Sequence, residues 1–162
     1  MPELPEVETV SKALNISIAN YTIKKVKVYK PNLRVLVSKN INTISKESTI
    51  FSVKRRAKYG KIYLDNNYVI VFHLGMSGRI LIDRPGSYVR QKHDHIVFHL
   101  KSSTAEKKTI ILIFNDPRRF GFLNIYKNNS LEFKNIFKGL GPEPLKANFN
   151  TKAFQKILFK KS

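Results

Sequence analysis

Between Thr22 and Tyr126 the chain is a succession of short apolar runs, each broken by turn residues before it reaches helical length. That pattern limits the possible folds more than anything else in the sequence. The runs are Thr22–Tyr29, Leu33–Val37, Thr49–Lys54, Tyr59–Leu64, Tyr68–Leu74, Arg79–Ile82, Ile96–Leu100, Thr109–Phe114 and Phe122–Tyr126. Asp65-Asn66-Asn67 is a hairpin signal, a loop must run at Arg84-Pro85-Gly86, and the polar stretch Ser102–Lys108 reads as another connection. In front of the runs, Val7, Val10, Leu14 and Ile18 recur at three- and four-residue spacing, which predicts an amphipathic helix from residue 5 to about 18, ended by Asn20. The fold class expected is mainly β (α+β): an antiparallel β-sandwich of about eight strands, with the N-terminal helix packed on it.

The tail has a different character. Leu140-Gly141-Pro142-Glu143-Pro144-Leu145 is a rigid connector. Beyond it, Asn150 or Thr151 suits a helix cap, and Ala153, Phe154, Ile157 and Leu158 form one apolar stripe. This reads as the start of a C-terminal helix, and as the opening of a second unit.

Composition narrows the partners. Thirty Lys and Arg against 11 Asp and Glu give a formal charge of +19. Such a surface calls for a polyanion, and nucleic acid is the foremost reading, ahead of an anionic membrane. With 42% hydrophobic residues, 11 Phe and 7 Tyr, a real core is available. No apolar run approaches a membrane span, and the acidic N-terminus is unlike a secretory signal. With no Cys in the sequence, disulfides and thiolate zinc sites are excluded. An intracellular location fits these features.

The first residues are the most chemically suggestive. Met1-Pro2-Glu3-Leu4-Pro5-Glu6-Val7-Glu8 would place a secondary amine at the N-terminus once Met1 is trimmed, which a small second residue permits. An α-amino group titrates near 8, so an appreciable fraction is neutral and nucleophilic at neutral pH, able to form iminium adducts with carbonyl-like carbons. Glu3 beside it can serve as a general acid if burial raises its pKa. Taken alone, the same residues also suit an ordinary helix start, with Pro5 in the first turn and Glu6 and Glu8 at its positive end.

Four further stretches carry potential chemistry. Arg55-Arg56-Ala57-Lys58-Tyr59-Gly60-Lys61 is a basic cluster at a strand boundary with Tyr59 set to pack inward; it is a phosphate-attracting patch from which one Lys could enter a site. His73-Leu74-Gly75-Met76-Ser77-Gly78 puts a Met between glycines, either an exposed apolar tip able to wedge between bases or simply a tight hairpin. Asp116-Pro117-Arg118-Arg119-Phe120-Gly121 combines a turn, two guanidiniums and an aromatic, suited to reading a base edge and stacking in a vacated position. His93, His95 and His99 are expected on one strand face, where they could hold a metal, contact phosphate or simply pack.

Taken in order, Pro2–Thr9, Arg55–Tyr59, His73–Gly78, Lys92–His95, Asp116–Gly121 and Leu140–Leu145 resemble the formamidopyrimidine-DNA glycosylase family of base-excision repair enzymes. The likeness runs over essentially the whole chain. Leu4 within Pro-Glu-Leu-Pro-Glu, and the Arg-Phe pair, favour this family over its sibling, endonuclease VIII. The resemblance implies a bifunctional glycosylase/AP lyase that excises oxidised purines, 8-oxoguanine and formamidopyrimidines, from double-stranded DNA. Pro2 would attack C1′ of a flipped nucleotide and form a Schiff base. Glu3 would be the proton donor that opens the sugar, and Lys58 the proton donor in β-elimination. Met76, Arg118 and Phe120 would fill the gap, with Arg118 facing the orphaned cytosine. His93 and Arg118 match DNA-binding positions, His73 would contact a phosphate, and Lys161 matches a DNA-binding lysine.

The resemblance divides the chain into residues 1–130, a catalytic sandwich, and 131–162, a linker with the first helix of a helical DNA-binding domain. Family members continue into a helix–two-turn–helix domain and a four-Cys zinc finger, neither of which this sequence contains. No cofactor is therefore expected in this chain, and no metal site. Two readings stand: a catalytic domain, monomeric or completed by a separate C-terminal half, in a bacterial-type cytoplasm on the nucleoid; or a DNA-binding remnant without turnover.

Overall fold

A computed structural model describes residues 2–143. Helix α1 (Leu4–Ile18) is followed by β1 (Tyr21–Val28), a short α2 (Ile41–Ser45), β2 (Ile50–Arg56), β3 (Tyr59–Leu64), β4 (Tyr68–His73), β5 (Arg79–Asp83), β6 (Asp94–Ser102), β7 (Thr109–Asn115), β8 (Phe122–Lys127) and α3 (Leu131–Ile136). Two four-stranded sheets form, in the orders β1-β6-β7-β5 and β2-β3-β4-β8, with every pairing antiparallel. The mainly β sandwich with an N-terminal helix is thus the fold the strand-period runs called for.

Alternation along the strands explains the core. Ile96, Phe98 and Leu100 of β6 face Ile62 of β3, Ile70 and Phe72 of β4 and Leu123 of β8 across the space between the sheets, all buried. Each such side chain contributes about 1.5–3 kcal/mol of transfer free energy. Helix α1 adds Leu14 and Ile18 to this core and lies against β2 and β3. A second, smaller cluster sits on the outer face of the β2-β3-β4-β8 sheet, where Phe133 of α3 covers Val69, Val71 and Phe122.

Three local departures from the sequence pattern have physical causes. Leu33–Val37 is not a strand: the amides of Leu33 and Val37 both donate to the Pro31 carbonyl, which curls the segment, and only an isolated bridge between Asn32 and Leu36 remains. Helix α2 is five residues long, too short to show a period, and is fixed by burial of Ile41 and by Asn42, whose side chain accepts from the Val26 amide of β1. Helix α3 did have a signal, Ser130, whose hydroxyl accepts from the Phe133 amide as an N-cap. It docks on the sheet just beyond the residue 130/131 division expected from the sequence. The helix expected around residues 150–158 lies outside the described residues.

His93, His95 and His99 do not share a strand face. His93 precedes β6, and the register of β6 shifts between Asp94 and Ile96, so His95 occupies a bulge and leaves the alternation. His99 remains on the regular strand, paired with Lys25. Among the described residues, no three His, Asp or Glu side chains are grouped to hold a metal ion, and no helix is long and apolar enough to cross a membrane.

Gly60 of β3 is needed for close approach of strands and core. A Cβ built there would lie 2.0 Å from the buried Phe72 ring. Gly60→Ala should therefore lower stability by about 1–3 kcal/mol, the usual range for overpacking. Gly86→Ala, where a Cβ meets nothing within 4 Å, should change it by less than about 0.5 kcal/mol. Urea unfolding of the two variants checks both.

Candidate active site and nucleic-acid interface

The N-terminal residues are delivered by α1. Glu3 is its N-cap residue, and its amide donates to Glu6 Oε2 at 2.9 Å, which fixes where the chain enters the helix. Pro2 is half-buried immediately before it. While Met1 is attached the Pro2 nitrogen is an amide; only its removal makes an amine there.

Strands β2 and β3 are joined by a two-residue hairpin, Ala57-Lys58, closed by the Arg56–Tyr59 pair. The hairpin places Lys58 Nζ 2.9 Å from Glu3 Oε2. Residues 55 positions apart in sequence thus meet at the helix N-terminus. The hydrogen bond and charge of Lys58 hold the Glu3 carboxyl below the usual carboxylate range. Glu3 is largely exposed, with 63% of its side chain accessible. The sequence-level condition for Glu3 as an acid, burial that raises its pKa, is therefore not met in the free protein.

Behind the hairpin lies a buried ion-pair cluster. Arg55, with only 4% of its side chain exposed, pairs through Nε with Glu8 of α1 and through Nη1 with Glu143 Oε1 at 2.6 Å. The second contact is an ion pair whose angle does not make it a hydrogen bond. Glu143 Oε2 accepts from the Ala57 amide at 3.1 Å and from Arg56 Nη1 at 3.2 Å. Lys12 reaches Glu8 at 3.3 Å. Burial opposes charge on both Arg55 and Glu143, but the opposite charges prevail: Arg55 is held above its ordinary value and Glu143 below. Glu8 is also held below, first by the Arg55 hydrogen bond.

Tyr59, next in the chain, connects this corner to the second half of the site. Its ring packs 5.0 Å from His73 and 5.5 Å from Phe137, and His73 stacks on Phe122. The Gly75 amide donates to His73 Nδ1 at 3.0 Å, so the neutral ring carries its proton on Nε2. Burial, then Arg34 and Lys58, push His73 down from its ordinary value.

The loops after β4 and β7 are bolted together by Asp116, which is fully buried. Asp116 Oδ1 accepts from Ser77 Oγ at 2.6 Å and Oδ2 from the Gly121 amide at 2.8 Å, while its carbonyl accepts from His95 Nε2 at 2.7 Å. The Arg118 amide donates back to Ser77 Oγ at 3.1 Å. Gly75, at φ +62, lets the loops touch: a Cβ there would stand 2.4 Å from the Gly121 amide nitrogen. On this frame Met76 and Phe120 are each 46% exposed. With Arg34 and His73 they line a cavity of about 300 Å³, and the Arg118 guanidinium lies 4.9 Å from the Phe120 ring centre. Met76 is thus the exposed tip.

His93 lines a separate basic cavity of about 320 Å³ with Tyr29, Lys30, Arg90, Lys92 and Arg119. The Arg90 guanidinium stacks 4.0 Å from the Tyr29 ring. The described structure therefore brings Pro2, Glu3 and Lys58 together, gathers His73, Met76, Arg118 and Phe120 beside them through Tyr59, and sets His93 apart. Lys161 lies outside the described residues. Sequence reasoning missed Arg34, Asp116 as the joint between the loops, and Glu143 as a buried partner of the hairpin. Pairings this distant have no local signal, although an acid in a basic turn was visible at Asp116.

Residues 1–123 match the family model for the formamidopyrimidine-DNA glycosylase N-terminal domain. The chain belongs to the formamidopyrimidine-DNA glycosylase family. The formamidopyrimidine-DNA glycosylase of Zymomonas mobilis is 43% identical over 162 residues, all of this chain and 57% of that protein. That of Rickettsia canadensis is 46% identical over 145 residues, 90% of this chain and 50% of that protein. The Lactococcus lactis glycosylase bound non-covalently to DNA containing an AP site superposes with a TM-score of 0.82 at 28% identity, covering 97% of this chain and 57% of that one. Its complex with DNA containing N7-benzyl-Fapy-dG gives 0.83 at 29% identity, covering 98% and 56%. The chain thus spans about half the length of the family members it matches.

The depressed carboxylates of Glu8 and Glu143 set an acid limit. Their stabilisation is fully present above the ordinary carboxylate value of about 4.3 and is lost as pH falls through their lower folded values. Thermal unfolding midpoints should fall as pH drops below about 4.3, and the fall should be shallower in Glu8→Gln.

Proposed function

We propose that this chain carries the catalytic machinery of a bifunctional DNA glycosylase/AP lyase acting on oxidised purines in double-stranded DNA. The observation that carries this reading is the meeting of Glu3 and Lys58 at the N-terminus, 2.9 Å apart, beside Pro2. The Lactococcus relatives, solved on AP-site and Fapy-dG DNA, support the substrate class.

With Met1 removed, the Pro2 amine attacks C1′ of the extruded nucleotide. The C1′–N bond to the base breaks as the new bond to Pro2 forms, the base departs with the proton shed by the Pro2 nitrogen, and opening of the sugar, its ring oxygen protonated by Glu3, leaves an iminium. Lys58 donates a hydrogen bond to Glu3, which favours the Glu3 carboxylate in the free protein. Glu3 acts as the acid toward the sugar oxygen once the proton it shares with Lys58 passes to it in the desolvated site, leaving Lys58 a neutral amine. The iminium acidifies C2′; the Lys58 amine, left neutral by the first transfer, takes that proton as the C3′–O bond breaks, and then serves as the proton donor to the departing 3′ phosphate in this β-elimination. Met76 and Phe120, exposed on the loops joined by Asp116, fill the space the nucleotide leaves, and Arg118 faces the unpaired base. His73, neutral with its proton on Nε2, donates to a phosphate. His93 with its basic neighbours holds backbone on the other side. The formal +19 charge gives this binding a steep salt dependence. The setting is the cytoplasm, on the nucleoid, with the protein acting as a monomer.

The test is borohydride trapping on an 8-oxoguanine:cytosine duplex at low salt. The Met1-trimmed chain should give a covalent band, and chains that retain Met1 should give none. Lys58→Ala should slow strand cleavage by about 10²–10⁴-fold, the usual contribution of a positioned acid. A folded, trimmed chain that binds the duplex but gives no band would leave a DNA-binding protein without turnover.

A further inference from the structure

Glu143 lies in the connector after α3, far from the nucleophile in sequence, yet its carboxylate is 5% exposed and buried beneath the Ala57-Lys58 hairpin. A buried carboxylate is costly unless its lone pairs are fully used. Here Oε2 is used on the hairpin, accepting from the Ala57 amide and from Arg56, while Oε1 is compensated by the charge of Arg55. Arg56 Nη2 also donates to the Gly141 carbonyl at 2.6 Å, and Arg55 Nη1 to the Ala57 carbonyl at 3.0 Å. Ala57 itself sits at φ +51, a left-handed conformation unfavourable for a residue with a Cβ. A two-residue turn with alanine in that region needs an external hold, and the Glu143 bond to its amide is one. The residue immediately after the strained alanine is Lys58.

We propose that Glu143 is a positioning residue for Lys58: by gripping the Ala57 amide from the connector, it sets the hairpin conformation that aims Lys58 at Glu3 and the sugar. This rests on the glycosylase/lyase reading for its catalytic consequence, but not for its geometric one. It also means that the segment leaving the sandwich is wired to the proton donor, so displacement of the connector would be felt at Lys58. Glu143 touches no substrate atom and acts only through the turn.

The test has two arms. In the first, amide hydrogen exchange at Ala57 and the NMR titration of the Glu3 carboxyl are measured in the parent chain, Glu143→Gln and Glu143→Asp. Ala57 exchange should quicken at least about tenfold in Glu143→Gln, the Glu3 titration should move up toward the ordinary carboxylate range, and Glu143→Asp should lie between. Unchanged exchange and titration in a folded Glu143→Gln overturn the proposal. If Glu143→Gln does not fold, parent-like values in Glu143→Asp overturn it instead.

In the second arm, β-elimination is followed on a duplex with a preformed abasic site. Glu143→Gln should slow cleavage on the order of tenfold to a hundredfold, as misplacement of an acid does, while the amount of borohydride-trapped adduct changes less than about twofold. In a Lys58→Ala background the same substitution should add nothing. An equal loss in that background would mean Glu143 acts other than through Lys58. Should even the parent form no adduct, the lyase reading fails, and the first arm still decides whether Glu143 sets the hairpin.

Discussion

A single buried guanidinium holds the functional corner of this protein together. Arg55 lies at the end of β2 with Glu8 of α1 on one side and Glu143 of the connector on the other. Charge removed from water is stabilising only where its partners are complete, and loss of one partner leaves an uncompensated buried ion. Three segments distant in sequence are therefore fixed relative to one another at one point. Apolar packing of Leu14 and Ile18 secures the body of α1, but without directional bonds it cannot by itself set where the first residues of the helix end. The Glu8–Arg55 pair, less than two turns into α1, supplies that register, and with it the position of Pro2 and Glu3.

The second joint is Asp116, and it works on the same physical basis. One carboxylate collects a hydroxyl and an amide from two different loops, so Met76 and Phe120 are presented from a rigid base although both side chains are exposed. The two joints communicate through aromatic contact: Lys58 precedes Tyr59, whose ring meets His73, the wall of the cavity beneath Met76 and Phe120. The Pro2–Glu3–Lys58 corner and the Met76 and Phe120 loops are thus joined through Tyr59 and His73, built on the β2-β3-β4-β8 sheet and the loops at its edge.

Much of this was legible from the sequence, and the boundary of legibility has a physical form. Strand-period runs, the helix from residue 5 to about 18 and the Gly-flanked Met76 turn, which read equally as an exposed tip or a tight hairpin, are local features, carried by alternation and by glycines. Leu33–Val37 misled because its apolar residues serve the core from a curl organised by the Pro31 carbonyl. The three histidines misled because a bulge at His95 breaks the alternation that would have aligned them. Glu3 was singled out by its place beside the N-terminal amine and Lys58 through family resemblance, but their mutual contact, and the resulting depression of the Glu3 carboxyl, belong to tertiary structure. Glu143 stood in a stretch that read only as a connector. Nothing in its neighbours announces that its carboxylate is buried 86 residues away, against the Ala57 amide.

On the glycosylase/lyase proposal, α1, its end set by Arg55 and Glu8, delivers the Pro2 nitrogen as the covalent nucleophile, with Lys58 as its acid rather than its rival. Mass-spectrometric peptide mapping of the borohydride-reduced DNA adduct tests this most directly, because Lys58 is also an amine close to the site. An adduct confined to the N-terminal peptide, on Pro2, is the expected result. An adduct on the peptide containing Lys58 would make that lysine the nucleophile in place of Pro2.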